Sequence, residues 1–559
     1  AVAGWLLTRV SGVSFVDVAK AAGVSFTHVD GASAQKFLPE TMGSGAVLFD
    51  MDGDDFLDLF VVDGGALADP AAAARARHRL YRNQRDGTFR DVTAGSGIRH
   101  RGYGMGACAG DVDSDGRADL YVTAFGPNTL YHNDGGGAFT DVTRAAGVGL
   151  DRWSTSCAFL DVDRDGDLDL FVANYLEVSR TMSPFCGDPA RRLRVYCHPL
   201  NFTGLTNVLY RNDGRGVFTD VSGESGVGSH VGNGLGVAVG DYDDDGWPDV
   251  FVANDAVPNF LFHNERNGRF TEVALAAGVA VARDGKPRAG MGTEFADVNG
   301  DGRLDLMVTN HEFETHSLYR NDGRGVFTDV TVETGLGPPT LPHVGFGVAL
   351  FDFDNDGALD IAIANGHVID NTSEFRPGST HAQRKILLRN AGRRFVDVGR
   401  QAGPGFADAV VGRALVAGDL DNDGDLDLVV TQSGGPVQVL RNDGGNRRNA
   451  VVVRAVGTRS NRDALGARVT IVTAAGTLTR EVKSGSSYEG QGDIRVHAGL
   501  GEARQIERID VRWPGGGVER IERPPVNHRL TIEEGKGLTA AVAFVRPASP
   551  VAPARGQRR

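Results

Sequence analysis

A nine-residue acidic loop recurs seven times in this 559-residue chain, each time between two short apolar runs. The copies begin at Asp50, Asp111, Asp161, Asp241, Asp297, Asp352 and Asp419. They read DMDGDDFLD, DVDSDGRAD, DVDRDGDLD, DYDDDGWPD, DVNGDGRLD, DFDNDGALD and DLDNDGDLD. A chain that returns seven times to one turn is a repeat protein, whose units bury their apolar faces against each other.

The spacing has a chemical reason. Oxygens at places 1, 3, 5 and 9 converge on one hard cation only if the chain turns tightly, and glycine at place 6 permits that turn in six of the seven copies. The candidate ligands are Asp50, Asp52, Asp54 and Asp58 in the first loop, Asp111, Asp113, Asp115 and Asp119 in the second, and Asp161, Asp163, Asp165 and Asp169 in the third. The fourth and fifth supply Asp241, Asp243, Asp245 and Asp249, then Asp297, Asn299, Asp301 and Asp305. The sixth and seventh supply Asp352, Asp354, Asp356 and Asp360, then Asp419, Asp421, Asp423 and Asp427. Calcium, which tolerates six to eight oxygen ligands in flexible geometry, fits better than magnesium, and up to seven Ca²⁺ are expected. A surface turn without metal explains one acidic loop but not seven. An EF-hand would place a bidentate Glu at place 12 between helices; here that place holds Val61, Val122, Val172, Val252, Val308, Ile363 and Val430, in runs such as LDLFV that favour strands.

Two loops depart from the pattern. Asp55 replaces the turn glycine of the first, where nearby Gly53 suggests a turn shifted by one residue, and Asn299 replaces a carboxylate in the fifth, where its amide oxygen still ligates more weakly.

The repeat extends past the loop. A Gly-rich apolar stretch precedes it, and an LYRN-like strand follows, at Leu80, Leu130, Leu209, Leu261, Leu318, Leu387 and Val439, then a turn and an FTDV-like strand. Six FTDV-like strands follow these seven, at Phe89, Phe139, Phe218, Phe270, Phe327 and Phe395. The missing one stands at the other end of the chain, where Phe15 to Val18 reads FVDV. Four strands in each of seven units predict an all-β chain with a seven-bladed β-propeller over residues 15–446, closed by the N-terminal strand, after an N-terminal segment 1–14. From 447 to 535 the acidic loop disappears, and period-two stretches such as LGARVTIVT predict a small antiparallel β-sandwich. Residues 536–559 form a Pro-rich tail.

The DxDxDGxxD loops with LYRNDGxGxFTDVT hairpins resemble FG-GAP or VCBS repeats, the blades of integrin-α-like propellers. LGARVTIVTAAG, SSYEGQGD, VHAGLG and IDVRWPGGGVERI resemble the ASPIC/UnbV domain. The combination, from Phe15 to Glu534, is similar to the cartilage acidic protein family in its bacterial-type members, a resemblance that implies the fold far more than a function.

The formal charge of −14 would be neutralised by seven calcium ions, so calcium should be coupled to stability, which suits a secreted, extracellular or cell-surface protein. Nucleic acid is not expected to bind so acidic a chain. The sequence holds no signal peptide and no transmembrane run, and its start at AVAGWLL reads as a processed mature end. Cys186 and Cys197, in one insertion, are expected to pair; Cys108 and Cys157 stand three and four residues before their loops, an opposite parity that reads as two separate buried thiols.

No Ser/His/Asp, Cys/His or His-rich metal pattern has catalytic spacing, so no catalytic residue is assigned; a non-enzymatic role is favoured and an enzymatic one stays open. His311, Glu312, His316 and His367 read as loop residues, and Asn174, Asn254, Asn310 and Asn365 as caps of strand-end turns. The connections opposite the acidic loops hold the longest insertions, Gly64 to Arg79, Tyr175 to Asn207 and Gly366 to Lys385, and a binding face is expected there. The expected function is an interaction, adhesion or self-assembling module for an extracellular protein or glycan, with structural calcium. The alternative is a carbohydrate-binding, lectin-like or polysaccharide-acting protein, for which Tyr175, Phe185, Tyr196 and Phe202 supply one aromatic cluster.

Overall fold

The computed structural model describes residues 12–69, 76–99 and 101–545. Most of the N-terminal segment, part of the Gly64–Arg79 insertion and the end of the tail lie outside them. The described residues are overwhelmingly β, and none of their helices is long and apolar enough to cross a membrane.

Each acidic loop joins the first two strands of a four-stranded antiparallel meander, seen in the order Gly234–Gly240, Asp249–Asn254, Phe260–Asn264 and Phe270–Glu272 in the fourth unit. DVFVAN is buried at every position, because apolar residues point to both faces and a neighbouring sheet covers each. Seven such meanders occur among the described residues. The seventh takes Ser14–Asp17 as its outer strand, with Phe15 opposite Asn442, so the N-terminal FVDV is where the count of strands put it.

The first strand of each unit touches that of the next, and the seventh touches the first, giving a closed cycle. Apolar clusters fill the spaces between successive sheets, one between the seventh and first and another between the sixth and seventh. The Gly-rich character of these strands follows from crowding: a Cβ on Gly236 would stand 2.2 Å from the Met291 carbonyl oxygen, and one on Gly347 2.3 Å from the Leu415 nitrogen.

Opposite parity turns out to join Cys108 and Cys157 rather than separate them. They lie on the first strands of successive units, and two sheets stacked face to face meet through opposite faces. The residues form a disulfide with Cα atoms 5.8 Å apart. Cys186 and Cys197 also pair, which leaves no free cysteine.

Residues from Asn449 onward build two further four-stranded sheets, whose apolar sides share one core with the second and third units. They are not purely antiparallel, since Asn449–Val456 runs parallel to His528–Glu533. The tail begins later than its composition suggests, because Gly537–Ala543 is a strand paired with His528–Glu533.

One segment of this region, Ser484 to Asp493, leaves its sheets and runs through the middle of the cycle. Ser487 exchanges both backbone hydrogen bonds with Thr293 of the fifth unit, at 2.7 and 2.9 Å. Its hydroxyl donates to Leu415 O of the seventh unit and accepts from Val348 N of the sixth. Glu489 N donates to Ser156 of the third, Gln491 exchanges two bonds with Ala109 of the second, and Gly490 pairs in parallel with Ala46 of the first. The segment is an axle for the first strands.

The closing strand is held by more than its ladder. Phe15 is fully buried, with its ring 5.2 Å from Phe406 and 6.4 Å from both Phe351 and Phe353. Phe15→Ala is expected to destabilise the chain by about 3–5 kcal/mol in urea unfolding; an unchanged midpoint would show that this strand does not secure the seventh sheet.

Candidate metal loops and the opposite face

All seven acidic loops share one hydrogen-bond scheme. The place-1 carboxylate accepts from the backbone N–H groups of places 5 and 6, as Asp161 does from Asp165 and Gly166 at 3.1 and 3.2 Å. The place-9 carboxylate accepts from place 2 and from the Asn that ends the LYRN-like strand, as Asp169 does from Val162 and Asn212 at 2.9 and 2.8 Å. The same two patterns hold for Asp50 and Asp58, Asp111 and Asp119, Asp241 and Asp249, Asp297 and Asp305, Asp352 and Asp360, and Asp419 and Asp427. Place 5 accepts from place 7, in Asp54, Asp115, Asp165, Asp245, Asp301, Asp356 and Asp423 alike.

The first loop does not shift its turn. Asp55 takes the left-handed conformation itself, at φ 67°, which Asp tolerates better than most residues. Place 4 has positive φ in every loop, through Gly53, Ser114, Arg164, Asp244, Gly300, Asn355 and Asn422, a requirement the varied side chains there conceal. Asn299 keeps its oxygen in the loop, accepting from Asp301 N at 2.9 Å.

These residues fit a cation. Carboxylate oxygens of Asp50, Asp52 and Asp58, of Asp111, Asp113 and Asp119, and of Asp161, Asp163 and Asp169 come within 4.8 Å of one another. At place 3, one oxygen each of Asp52, Asp113, Asp163 and Asp354 is buried without a hydrogen-bond partner. Burial, followed by repulsion from neighbouring aspartates, pushes Asp161 up to about 7 and Asp352 to about 7. Burial also carries Asp58 and Asp249 to about 8 against the pull of their hydrogen-bond donors. Asp243 and Asp421 are likewise raised, first by burial.

Two further ligand candidates come from the LYRN-like strand, where His replaces Arg in LYHN and LFHN. His132 Nε2 lies 3.0 Å from Asp113, and His263 Nδ1 lies 3.1 Å from Asp249 and is carried to about 9, chiefly by that hydrogen bond.

The strand-ending Asn has a role that the motif alone did not disclose. Its side-chain amide donates to the place-8 carbonyl of its own loop and to the place-2 carbonyl of the preceding unit's loop. Asn212 thus reaches Leu168 O at 3.0 Å and Val112 O at 2.7 Å. Asn83, Asn133, Asn264, Asn321, Asn390 and Asn442 repeat the bridge, with Asn83 reaching back to Leu420 of the seventh unit.

The C-terminal sheets cover this face with arginines. Arg468 donates to Asp244 Oδ1 and Asp241 O, Arg512 to Asp241 Oδ2, Arg495 and Arg529 to Asp55 O, and Arg480 to Gly357 O.

On the opposite face Asn174, Asn254, Asn310 and Asn365 bridge their turns by donating to Thr206 O, Pro258 O, Thr315 O and Arg384 O. The insertions there interlock over a cavity of about 830 Å³. Asn371 donates to Arg194 O across two of them, and Ser183 donates to Lys36 O. Three residues of the His/Glu set meet at its wall. The His311 and His367 rings are 5.2 Å apart, and Glu312 takes hydrogen bonds from Ser379 at 2.6 Å, from Arg376 at 3.0 Å and from His367 at 3.3 Å. His316 does not join them; it accepts from Asn310 N, and burial drives it to about 3. Of the aromatic cluster, Tyr175 and Tyr196 line the cavity, whereas Phe185 is exposed.

FG-GAP-like repeat models match residues 50–122, 111–172, 201–252, 241–308 and 297–363, an FG-GAP repeat model matches 411–453, and the ASPIC and UnbV model matches 457–539. Cartilage acidic protein 1 of Homo sapiens is 32% identical over 308 residues, 53% of this chain and 43% of that protein. The Mus musculus protein is 32% identical over 308 residues, 53% of this chain and 44% of its own length. The chain therefore spans less than half the length of these relatives.

Among solved structures, the N-acetylglucosamine-recognising lectin of Agrocybe aegerita aligns with TM-score 0.35 at 16% identity, over 65% of this chain and 84% of that one. Rhamnogalacturonan lyase YesW aligns with TM-score 0.35 at 13% identity, over 71% of each chain. BBS1N in complex with ARL6DN aligns with TM-score 0.40 at 11% identity, over 76% of this chain and 96% of that one. The repeat matches cover more than half of the chain and fall on the acidic loops, so the chain belongs to the FG-GAP repeat proteins that carry an ASPIC and UnbV domain.

Proposed function

We propose that the seven units form a seven-bladed β-propeller over residues 15–446, capped by a β-sandwich from 447 to 543, and that this is a calcium-stabilised interaction module working outside the cell. Support for the propeller comes from the closed cycle of first strands and from the strand order in which the N-terminal strand completes the seventh sheet. Two disulfides suit an oxidising compartment.

Calcium, up to seven ions, is structural in this reading. The observation that carries it is the burial of the place-9 carboxylate in all seven loops and of the place-1 carboxylate in six, with arginines of the C-terminal sheets against the first, fourth and sixth loops, so that a cation there would be held by groups that belong to the fold. Such a cation neutralises carboxylates that otherwise repel one another, and stabilises the fold by mass action. The binding face is then the opposite one, where the interlocked insertions surround the cavity and a protein or glycan would dock.

Calcium titration by calorimetry is expected to saturate at no more than seven ions. At a hundredfold excess over the dissociation constant, each should add about 2.7 kcal/mol of stability. Asp165→Ala should remove one ion and weaken the third unit. Absence of calcium binding above background would overturn the reading.

The metal-free chain should also have a characteristic pH dependence. Carboxylates raised in the folded state favour the protonated form, so their contribution is fully present below about pH 4 and lost as pH rises through the values of about 7 to 8 at Asp161 and Asp58. In chelator the thermal midpoint should therefore fall between pH 5 and pH 8, and calcium should abolish the fall. A chelated midpoint that stays level or climbs across that window would contradict the assigned burial of these carboxylates.

A further inference from the structure

The cavity opposite the acidic loops contains a charge that the described chain leaves uncompensated. Asp255, on the connection after the second strand of the fourth unit, is half-buried and lines the cavity. Its carboxylate accepts one hydrogen bond, from the Tyr175 hydroxyl at 2.5 Å. The other charge acting on it is Glu314, of like sign, whose own carboxylate accepts from Ala289 N at 2.8 Å. Burial foremost, with Glu314 adding to it, raises Asp255 to about 6 although the Tyr175 hydroxyl works the other way. Two carboxylates thus line one wall, and among the described residues neither forms a salt bridge with a lysine or arginine, while the imidazole nearest Glu314, His311, is held towards its neutral form by burial. The nearby Arg376 is engaged elsewhere, donating to Glu312 at 3.0 Å and lying over the Phe313 ring.

Aromatic rings held by packing and a disulfide form part of the same wall. Tyr175 packs edge-on against Trp153 at 4.8 Å, and Phe346 packs against Tyr488 of the axial segment at the same distance. Tyr196 is pinned by a 3.1 Å hydrogen bond to Glu40, and its strand connection is stapled by the Cys186–Cys197 disulfide. Phe313, which is 62% exposed, marks the mouth. Flat rings beside carboxylates that form no salt bridge among the described residues favour an organic cation over a neutral or anionic group, because both the ring quadrupoles and the carboxylates attract positive charge.

We propose that this cavity binds a monocationic group with a flat or apolar body, an amidinium, guanidinium or amine, with its charge between Asp255 and Glu314 and its body against Tyr175 and Tyr196. The assignment rests on the reading of this face as the binding face and supplies the ligand chemistry that reading lacks. The same group could arrive as a free small molecule or as an arginine side chain of a protein partner.

The test uses the full chain in calcium, titrated calorimetrically with benzamidine, with its neutral isostere benzamide, and with an N-acetylated, C-amidated Gly-Arg-Gly peptide. Benzamidine is expected to bind at least about tenfold more tightly than benzamide. Asp255→Asn and Glu314→Gln are each expected to weaken it by a similar factor without lowering the calcium-stabilised thermal midpoint. Should Asp255→Asn fail to fold, Glu314→Gln carries the test, since its amide oxygen can still accept from Ala289 N. Tighter binding of the peptide than of benzamidine assigns the site to a partner's arginine; the reverse order assigns it to a free cation. Equal binding of benzamide, no binding of either cation, or full affinity in Glu314→Gln overturns the proposal. If that happens while calcium still stabilises the chain and a partner still maps to this face, the cavity chemistry fails and the wider functional reading stands.

Discussion

The bond on which the ring most depends is the amide of one repeated asparagine. In a cycle of sheets each unit must hold its neighbour at a fixed angle, and apolar contacts between sheets are too permissive to set it alone. Asn212 and its six counterparts set it with directional bonds, each joining a unit's own loop to the loop behind it at 2.7 to 3.1 Å. The carbonyls that receive these bonds are enclosed by the packed loops, so an aliphatic replacement would leave two acceptors unpaired for each bridge lost. The same residue's backbone N–H meets the place-9 carboxylate, as Asn212 meets Asp169. Acidic loop, LYRN-like strand and neighbouring unit are therefore parts of one network, which accounts for the motifs recurring together.

The axial segment solves the complementary problem at the centre. Seven first strands around an axis leave their inward backbone groups without sheet partners, and glycines at the closest approaches leave little side chain to fill the space. Ser484 to Asp493 meets six of those strands with backbone or side-chain hydrogen bonds or strand pairing. The C-terminal sheets cannot lift from the acidic face without withdrawing this segment, so the two parts of the chain are coupled in stability as well as in position.

Local spacing carried most of what was legible in the sequence. The loops, their strands and the closing role of Phe15 follow from offsets that any one copy displays and seven copies reinforce. Residues that act between distant segments were not legible. Cys108 and Cys157 were separated by a parity argument that is correct within one sheet and reversed between two stacked sheets. SSYEGQGD marked a family without revealing that its Ser and Glu would reach the axis. Gly537–Ala543 resembled a tail because its exposed side chains give it a weak pattern, while its ladder comes from pairing with His528–Glu533. The wall of Glu312, His311 and His367 forms from insertions on two units, and no spacing within either could show that they meet.

The two faces differ in how their charge is satisfied, and that difference favours the face opposite the loops as the proposed binding face. On the loop face the chain supplies its own cations: Arg468, Arg512, Arg495, Arg529 and Arg480 approach carboxylates or carbonyls directly, and the proposed calcium would complete the balance within the fold. Substitution there should be read as a change in stability. On the opposite face a disulfide, a pinned tyrosine and interlocked insertions surround a cavity whose acidic residues Asp255 and Glu314 form no salt bridge with a lysine or arginine among the described residues. A recess that holds carboxylates without a salt bridge among the described residues is kept at a cost in stability, and a ligand of opposite charge is the physical circumstance in which the cost is recovered.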